Sequence, residues 1–394
     1  MNKKNTGLAA IPIFLAFLCM GFGDVVGPLT GLIKEEFKLT NLSAQLIPFT
    51  GFIMFGLLSL PMGLFQDKKG KKYTLMLGLI LALAGLVLPI IGSFSTFGLL
   101  LLSILMLGAG ATILQVAGNP IMRDVSPEGK YSRNLSLGQF VKAIGSMSGA
   151  LIPVFAANYW GLDWKILFPV YSALILLTIV ILSVVKIREQ KDPSVQPASY
   201  RSSFRLLGNP YVSAMVFGIF LYVGAEVCMS AGLPIYLEAR YGIEIQKLGV
   251  AGTGLFFLAL MSGRFLGGII LNWINPKTFL IITVMLSIIG VLGLFVHNQS
   301  IAVASIIIIG LGFANIFPLI FSITVDQLPH RSNELAGLMV TAIVGGAFIP
   351  PIMGFVADQT SVMMSFLVPL ACILYITWLA VTNRKPPVET AKIK

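Results

Sequence analysis

The chain is expected to fold as an all-α membrane protein: twelve transmembrane helices in two pseudo-symmetric six-helix bundles, with both termini cytoplasmic. Three observations carry that expectation. Its apolar runs are long enough to cross a bilayer, its loop cations gather on one side, and its two halves share residues in register. Apolar residues make up 56% of the 394 and charged residues 11%, and the mean hydropathy is +0.90. A soluble domain is about a quarter charged, so an ordinary water-soluble globule is excluded.

Crossing ~30 Å of hydrocarbon as a helix takes about 20 apolar residues. Runs of that kind fall at about 8–32, 43–66, 73–92, 97–121, 135–158 and 164–185, then at about 209–237, 248–272, 278–296, 301–325, 334–356 and 362–382. The first follows Met1–Asn5 as the core of a signal peptide would, but no small-residue cleavage site precedes the second run, so it counts as a helix. The 40 glycines and 21 prolines would argue against helix in water. In a membrane bundle, neighbouring helices and polar side chains satisfy the backbone groups they free. Trp160, Trp164, Trp273 and Trp378 lie near run ends and are expected as interfacial anchors. Cys19, Cys228 and Cys372 fall inside runs, where no disulfide framework is expected.

The longest polar stretch, Lys186 to Arg205, contains Asp192, Pro193 and Pro197. It is expected as a cytoplasmic linker (186–208) between an N-terminal bundle (1–185) and a C-terminal bundle with a short tail (209–394). Orientation follows from the loop cations. With the N-terminus taken as cytoplasmic, only Lys34, Lys38, Lys165, Arg240 and Lys247 fall outside, Lys142 and Arg264 lie within spans, and every other Lys and Arg is inside. The net charge of +11 is therefore a consequence of topology, and no nucleic-acid partner is implied.

The halves are related in register. Asn134, Gly138, Val141, Ala143 and Ile144 of the fifth span recur as Asn333, Gly337, Val340, Ala342 and Ile343 of the eleventh, 199 positions later. Gly108 and Gly110 recur as Gly310 and Gly312, and Asp24 as Glu226, at an offset of 202. Parallel six-span repeats with midplane sites between them are the architecture of alternating-access transporters with the major facilitator fold.

Ionisable groups inside the spans are costly and therefore functional candidates: Asp24, Lys142, Glu226 and Arg264. Both histidines, His297 and His330, are in loops, so proton coupling through the membrane falls to a carboxylate. Asp24, among Gly21, Gly23 and Gly27 with Pro28 following, is the first candidate, and Glu226, on one face with Tyr222 and Ser230, is the second. The plainer alternatives are an Asp24 locked to Lys142 as a structural pair and a Glu226 that braces the bundle. No His/Cys/Asp grouping with catalytic or metal-ligand spacing exists, so an enzyme is not expected.

A sugar site needs polar groups for hydroxyls and an aromatic face for the ring. Gln115 and Asn119 share a face of the fourth span, and Gln139 and Lys142 a face of the fifth; Asn315 and Phe317 come from the tenth and Tyr222 from the seventh, with Phe22 a further stacking candidate. Buried amides also serve simply to hold helices together, and for any one amide the two roles stay open. Lys142 has two readings: it pairs with Asp24 or Glu226, or it attracts an anionic substrate such as an acidic sugar.

The second-to-third-span loop, GLFQDKKGKK (Gly63 to Lys72), resembles the major facilitator loop pattern, with Phe65 in place of the usual Leu. Asp67, Lys68, Gly70 and Lys71 are expected to latch a gate in addition to serving as a positive-inside anchor. Arg264, in the pseudo-equivalent SGRFLGG (Ser262 to Gly268), is grouped with them.

LQVAGNP (Leu114 to Pro120), YVGAEV (Tyr222 to Val227), FPLIFS (Phe317 to Ser322) and AIVGGAFIPPIMGFVAD (Ala342 to Asp358) resemble the fucose:proton symporter family, most closely its glucose/galactose porters and L-fucose permease. The resemblance implies a multi-pass bacterial inner-membrane transporter that imports a monosaccharide or sugar derivative by proton symport, with Asp24 as the coupling aspartate. It implies no cofactor beyond the proton and no metal. The expected partners are a sugar and the bilayer, and the expected state is a monomer. The permease uses a fourth-span carboxylate where this chain has Gln115, which argues against a second coupling acid there. Members commonly carry an amide near Lys142. Other readings are transport of an acidic sugar or organic anion, efflux of a sugar or small amphiphile, and a non-transporting sugar sensor, for which the tail after Thr382 is short. The latch reading predicts that Asp67→Asn slows uptake several-fold while leaving substrate affinity nearly intact. Initial rates across a range of substrate concentrations test this, and an unchanged rate would remove the latch.

Overall fold

The computed structural model describes residues 3–26, 29, 33, 36–39, 46–187, 189, 200–242 and 253–382, and every regular element among them is helical. Helix α1 (Lys3–Met20) tightens into a 3-10 segment at Gly21–Val25. Then come α2 (Leu46–Lys69), α3 (Lys71–Ile91), α4 (Phe97–Asp124), α5 (Tyr131–Trp160) and α6 (Leu167–Val184). Of the expected linker, residues 188 and 190–199 lie outside the described residues, as do the expected tail after 382 and the start of the eighth span; α7 (Tyr200–Leu206) is a short helix. Beyond it are α8 (Pro210–Tyr241), α9 (Thr253–Ile270) and α10 (Pro276–Gly293). The remaining spans are divided: α11 (Gln299–Phe313) with α12 (Ile316–Gln327), α13 (Ser332–Thr341) with α14 (Gly345–Gln359), and α15 (Val362–Ser365) with α16 (Leu367–Thr382). Among the described residues ten helices are long and apolar enough to cross a membrane. Two shorter apolar helices, Ala10–Val25 and Gly254–Ile270, stand at the first and eighth expected positions.

Two compact units emerge. One runs Met1–Tyr200 and takes in His330–Thr341; the other runs Arg201–Pro329 and Ala342–Lys394. In the first, α13 is seated on α2, where a methyl on Gly337 would lie 3.2 Å from the Ser59 carbonyl oxygen. Each unit has one helix sheathed by the others, as an all-round apolar sequence requires. Every residue of α4 from Leu107 to Met122 is buried, and so is every residue of α12 from Ile316 to Val325.

The repeated glycines have repeated tasks. A methyl on Gly108 would lie 2.6 Å from the Gly51 carbonyl oxygen of α2, and one on Gly110 would lie 2.7 Å from Ala82 Cβ of α3. In the second unit, a methyl on Gly310 would lie 2.6 Å from Ala259 Cβ of α9, and one on Gly312 would lie 2.7 Å from the Ser287 nitrogen of α10. In each unit the first glycine admits the second helix and the next admits the third. Helices α1 and α5 touch more closely still, backbone on backbone: a methyl on Gly145 would overlap the Leu18 carbonyl oxygen, and one on Gly21 would overlap that of Lys142. The same contact recurs where Gly345 of α14 meets the Phe220 carbonyl oxygen of α8.

Trp160, Trp273 and Trp378 are exposed, as anchors would be, but Trp164 is buried against Phe94 and Phe168. The 3-10 turn at Trp164–Ile166, capped by Asp163, ties its ring into the core rather than the rim. Cys19, Cys228 and Cys372 are free and buried.

Gly145→Ala is expected to destabilise the protein by about 1–3 kcal/mol, because a methyl forced onto a carbonyl oxygen must displace backbone. Gly354→Ala, where nothing lies within 4 Å, should leave the thermal midpoint in detergent unchanged. Equal midpoints for the two variants would contradict the packing.

Candidate functional site

In the first unit, the Gly21–Gly145 approach sets Asp24 against α5. Its Oδ2 lies 3.1 Å from Lys142 Nζ and accepts a hydrogen bond from Ser146 Oγ at 2.8 Å. Lys142 also donates to Gln115 Oε1 of α4 at 3.3 Å. Lys142 and Ser146 are one turn apart, so one face of α5 presents both to the carboxylate. The pair is only partly withdrawn from water: the Asp24 side chain is 33% exposed and that of Lys142 13%. Around it lies unspent polarity. Gln139 is buried with Nε2 unpartnered, and Asn119, one turn beyond Gln115, is fully buried with neither amide atom bonded. Each such group costs about 1–3 kcal/mol while it stays unpaired.

In the second unit, the break between α11 and α12 frees backbone carbonyls inside the bundle. Arg264 takes one, donating from Nε to the Ala314 oxygen at 3.2 Å, while its Nη2 lies 3.2 Å from Glu226 Oε1. Tyr222 takes the next, its hydroxyl donating to the Phe313 oxygen at 3.0 Å, and Asn315 Nδ2 donates to the Gly263 oxygen at 2.7 Å. Tyr222 and the Asn315 amide nitrogen thus spend their hydrogen bonds on holding helices together. Asn315 Oδ1 remains buried and unpartnered. Phe317 is buried beside Phe321, ring centroids 5.8 Å apart. Phe22 is covered by Tyr171, stacked at 3.8 Å.

Arg264 faces the broken helix and pairs with Glu226, because α9 packs along α11. The loop itself forms a separate cluster. Gly70, at φ +97, caps the start of α3, a conformation that L side chains avoid. The carboxylate of Glu189 accepts the amide N–H groups of Lys71 (2.7 Å) and Lys72 (2.9 Å), where the helix dipole favours an anion. The Lys71 ammonium reaches Asp124 at the end of α4, 2.7 Å away, with both side chains under a tenth exposed. Lys71 is therefore no free surface anchor. Asp67 is half-buried and Lys68 exposed. Sequence reasoning missed Ser146, Asp124, Glu189 and the Phe313 and Ala314 carbonyls. The i,i+4 spacing of Ser146 from Lys142 was a usable signal; Glu189, alone in a charged linker, offered none.

Residues 13–349 match the model of the Major Facilitator Superfamily. A putative glucose/galactose transporter of Helicobacter pylori is 27% identical over 404 residues, covering 98% of this chain and 99% of its own length. The L-fucose-proton symporter of Haemophilus influenzae is 22% identical over 405 residues, covering 91% of this chain and 92% of its own. The crystal structure of the transporter FucP in the outward conformation superposes with a TM-score of 0.84 at 20% identity, covering 96% of this chain and 98% of that one. At that identity the likeness establishes the fold.

Lys71→Met removes the ammonium that lies 2.7 Å from the buried Asp124 carboxylate and should cost about 1–3 kcal/mol. The double variant Lys71→Met with Asp124→Leu should recover most of that loss. Apparent melting temperatures of the purified variants test this, and a double variant no better than the single would show that the two groups act independently.

Proposed function

The chain belongs to the Major Facilitator Superfamily, and from that premise we propose that it imports a monosaccharide or close derivative by proton symport through alternating access. As a member it is a multi-pass transporter and not an enzyme. The proposal extends to twelve spans grouped six and six, cytoplasmic termini, a bacterial inner membrane and a monomeric state. Relatives named as glucose/galactose transporter and L-fucose-proton symporter support a sugar as cargo and a proton as driver.

The observation that carries the reading is Asp24: a carboxylate inside the bundle, a third exposed, held by one cation and one hydroxyl. Its carboxylate is left partly uncovered by the protein, which gives a proton a way in, and when the proton binds, the attraction to Lys142 is lost. Proton loading therefore rearranges the same face that carries Gln115, Gln139 and Asn119, whose amides suit sugar hydroxyls. Glu226 is the second carboxylate in this scheme, tied to Arg264 and through it to the α11–α12 break, where a change of charge bears on a helix already interrupted. Tyr222, Asn315 and Phe317 line that break as further substrate candidates. The Asp67, Lys68, Gly70 and Lys71 loop serves the gate.

Purified protein in vesicles, given an inward proton gradient and no sodium, is expected to accumulate labelled monosaccharide from a panel of neutral and acidic sugars. Asp24→Asn should lower gradient-driven accumulation at least tenfold while retaining exchange of labelled for unlabelled sugar without a gradient. Full accumulation by the variant would take the proton site away from Asp24.

A further inference from the structure

Lys142 imposes a condition that a proton alone does not meet. Its ammonium has two partners, the Asp24 carboxylate and the Gln115 carbonyl oxygen, and among the described residues neither Asp24 nor Lys142 makes a second ion pair. Other ionisable groups on the packed elements have partners of their own: Cys19 of α1 faces Thr178 at 3.4 Å, Asp124 at the end of α4 holds Lys71, Tyr131 and Arg133 of α5 donate to the Asn119 carbonyl oxygen and to Asn134, and the Tyr171 hydroxyl of α6 lies 2.8 Å from that of Ser148. Protonating Asp24 therefore strips Lys142 of its counter-ion while the ammonium is still largely buried, which is strongly unfavourable. A neutral sugar offers Lys142 hydroxyl oxygens but no charge to replace the one lost.

We propose that the transported sugar carries one carboxylate, and that this group takes the place of Asp24 as the counter-ion of Lys142. The inference rests on the symport reading above, with Asp24 as the proton site. Before loading, one negative and one positive charge sum to zero. The proton adds to a carboxylate oxygen of Asp24, the sugar acid brings its own negative charge to Lys142, and the sum is zero again. Either ligand alone leaves an uncompensated charge inside the unit; together they leave none. Proton and anion thus load as a pair, and the cycle moves no net charge. The Lys142 ammonium already lies between an acid and an amide. Gln115, Gln139 and Asn119 are buried, with Gln139 Nε2 and both Asn119 amide atoms unpartnered, so they meet the sugar when loading uncovers this face.

The test uses the full-length protein in vesicles with an inward proton gradient and no sodium. It compares labelled hexuronates and hexonates with the corresponding neutral hexoses, and records charge movement on a supported membrane. The expected result is acid accumulation at least tenfold above that of the hexoses, with no net current. Lys142→Gln should lose acid uptake at least tenfold, and Lys142→Arg, which keeps the charge, should retain most of it. Accumulation of neutral hexose with an inward current, and none of the acids, would overturn the inference and leave the symport reading standing. Undiminished acid uptake by Lys142→Gln would also overturn it. If no sugar of either kind accumulates, the symport reading itself falls, and this inference with it.

Discussion

The contact on which the site depends is not made by any side chain. Helix α1 reaches α5 at a distance only two glycines allow, with Gly145 against the Leu18 carbonyl and Gly21 against that of Lys142. Small residues are how membrane helices approach without an aqueous driving force, and here the approach sets the reach of everything beyond it. At Gly21 the helix narrows to a 3-10 turn, which presents Asp24 to Lys142 and Ser146. Leu18 and Phe220 are separated by the same 202 positions as Asp24 and Glu226, so the second unit builds its carboxylate on a corresponding contact at Gly345. The repeat preserves a backbone clearance, and the acid follows from it.

Given that common frame, the two units differ in how the acid is answered. In the first, the cation comes from the fifth helix and is flexible: a lysine with a four-carbon stem, whose ammonium is a point charge that can change partners. In the second it comes from α9 as a guanidinium spread over two acceptors, a carboxylate and a broken-helix carbonyl. A planar fork so engaged is a fixture. The two acids are thus answered by cations of different mobility.

The all-helical, membrane-crossing character of the chain was legible in the sequence because membranes make few demands and make them plainly: span length and glycine at close approaches. Asp24, Lys142 and Glu226 stood out because charges are scarce in such runs. That Asp24 meets Lys142 became visible only when the chain folded, since nothing in the spacing of residues 24 and 142 says that the first and fifth helices meet face to face. The partners of Arg264 were not legible, because its direction is set by the helix break at Ala314 and Asn315, which no local pattern announces. Trp164 was misjudged for a similar reason: a short 3-10 turn redirected a ring whose position along the chain alone would put it at the rim.

The pairing of α13 with α2 has a consequence for biosynthesis. Ser332–Thr341 belongs to the compact unit that otherwise ends at Tyr200. Until those residues leave the ribosome, the strip of α2 around Ser59 and Leu60 lacks its contact with Gly337. Domains made early in a chain generally fold first. This one stays open along one side until most of its successor has been translated, so the late segment is a closing piece whose arrival completes what was begun first.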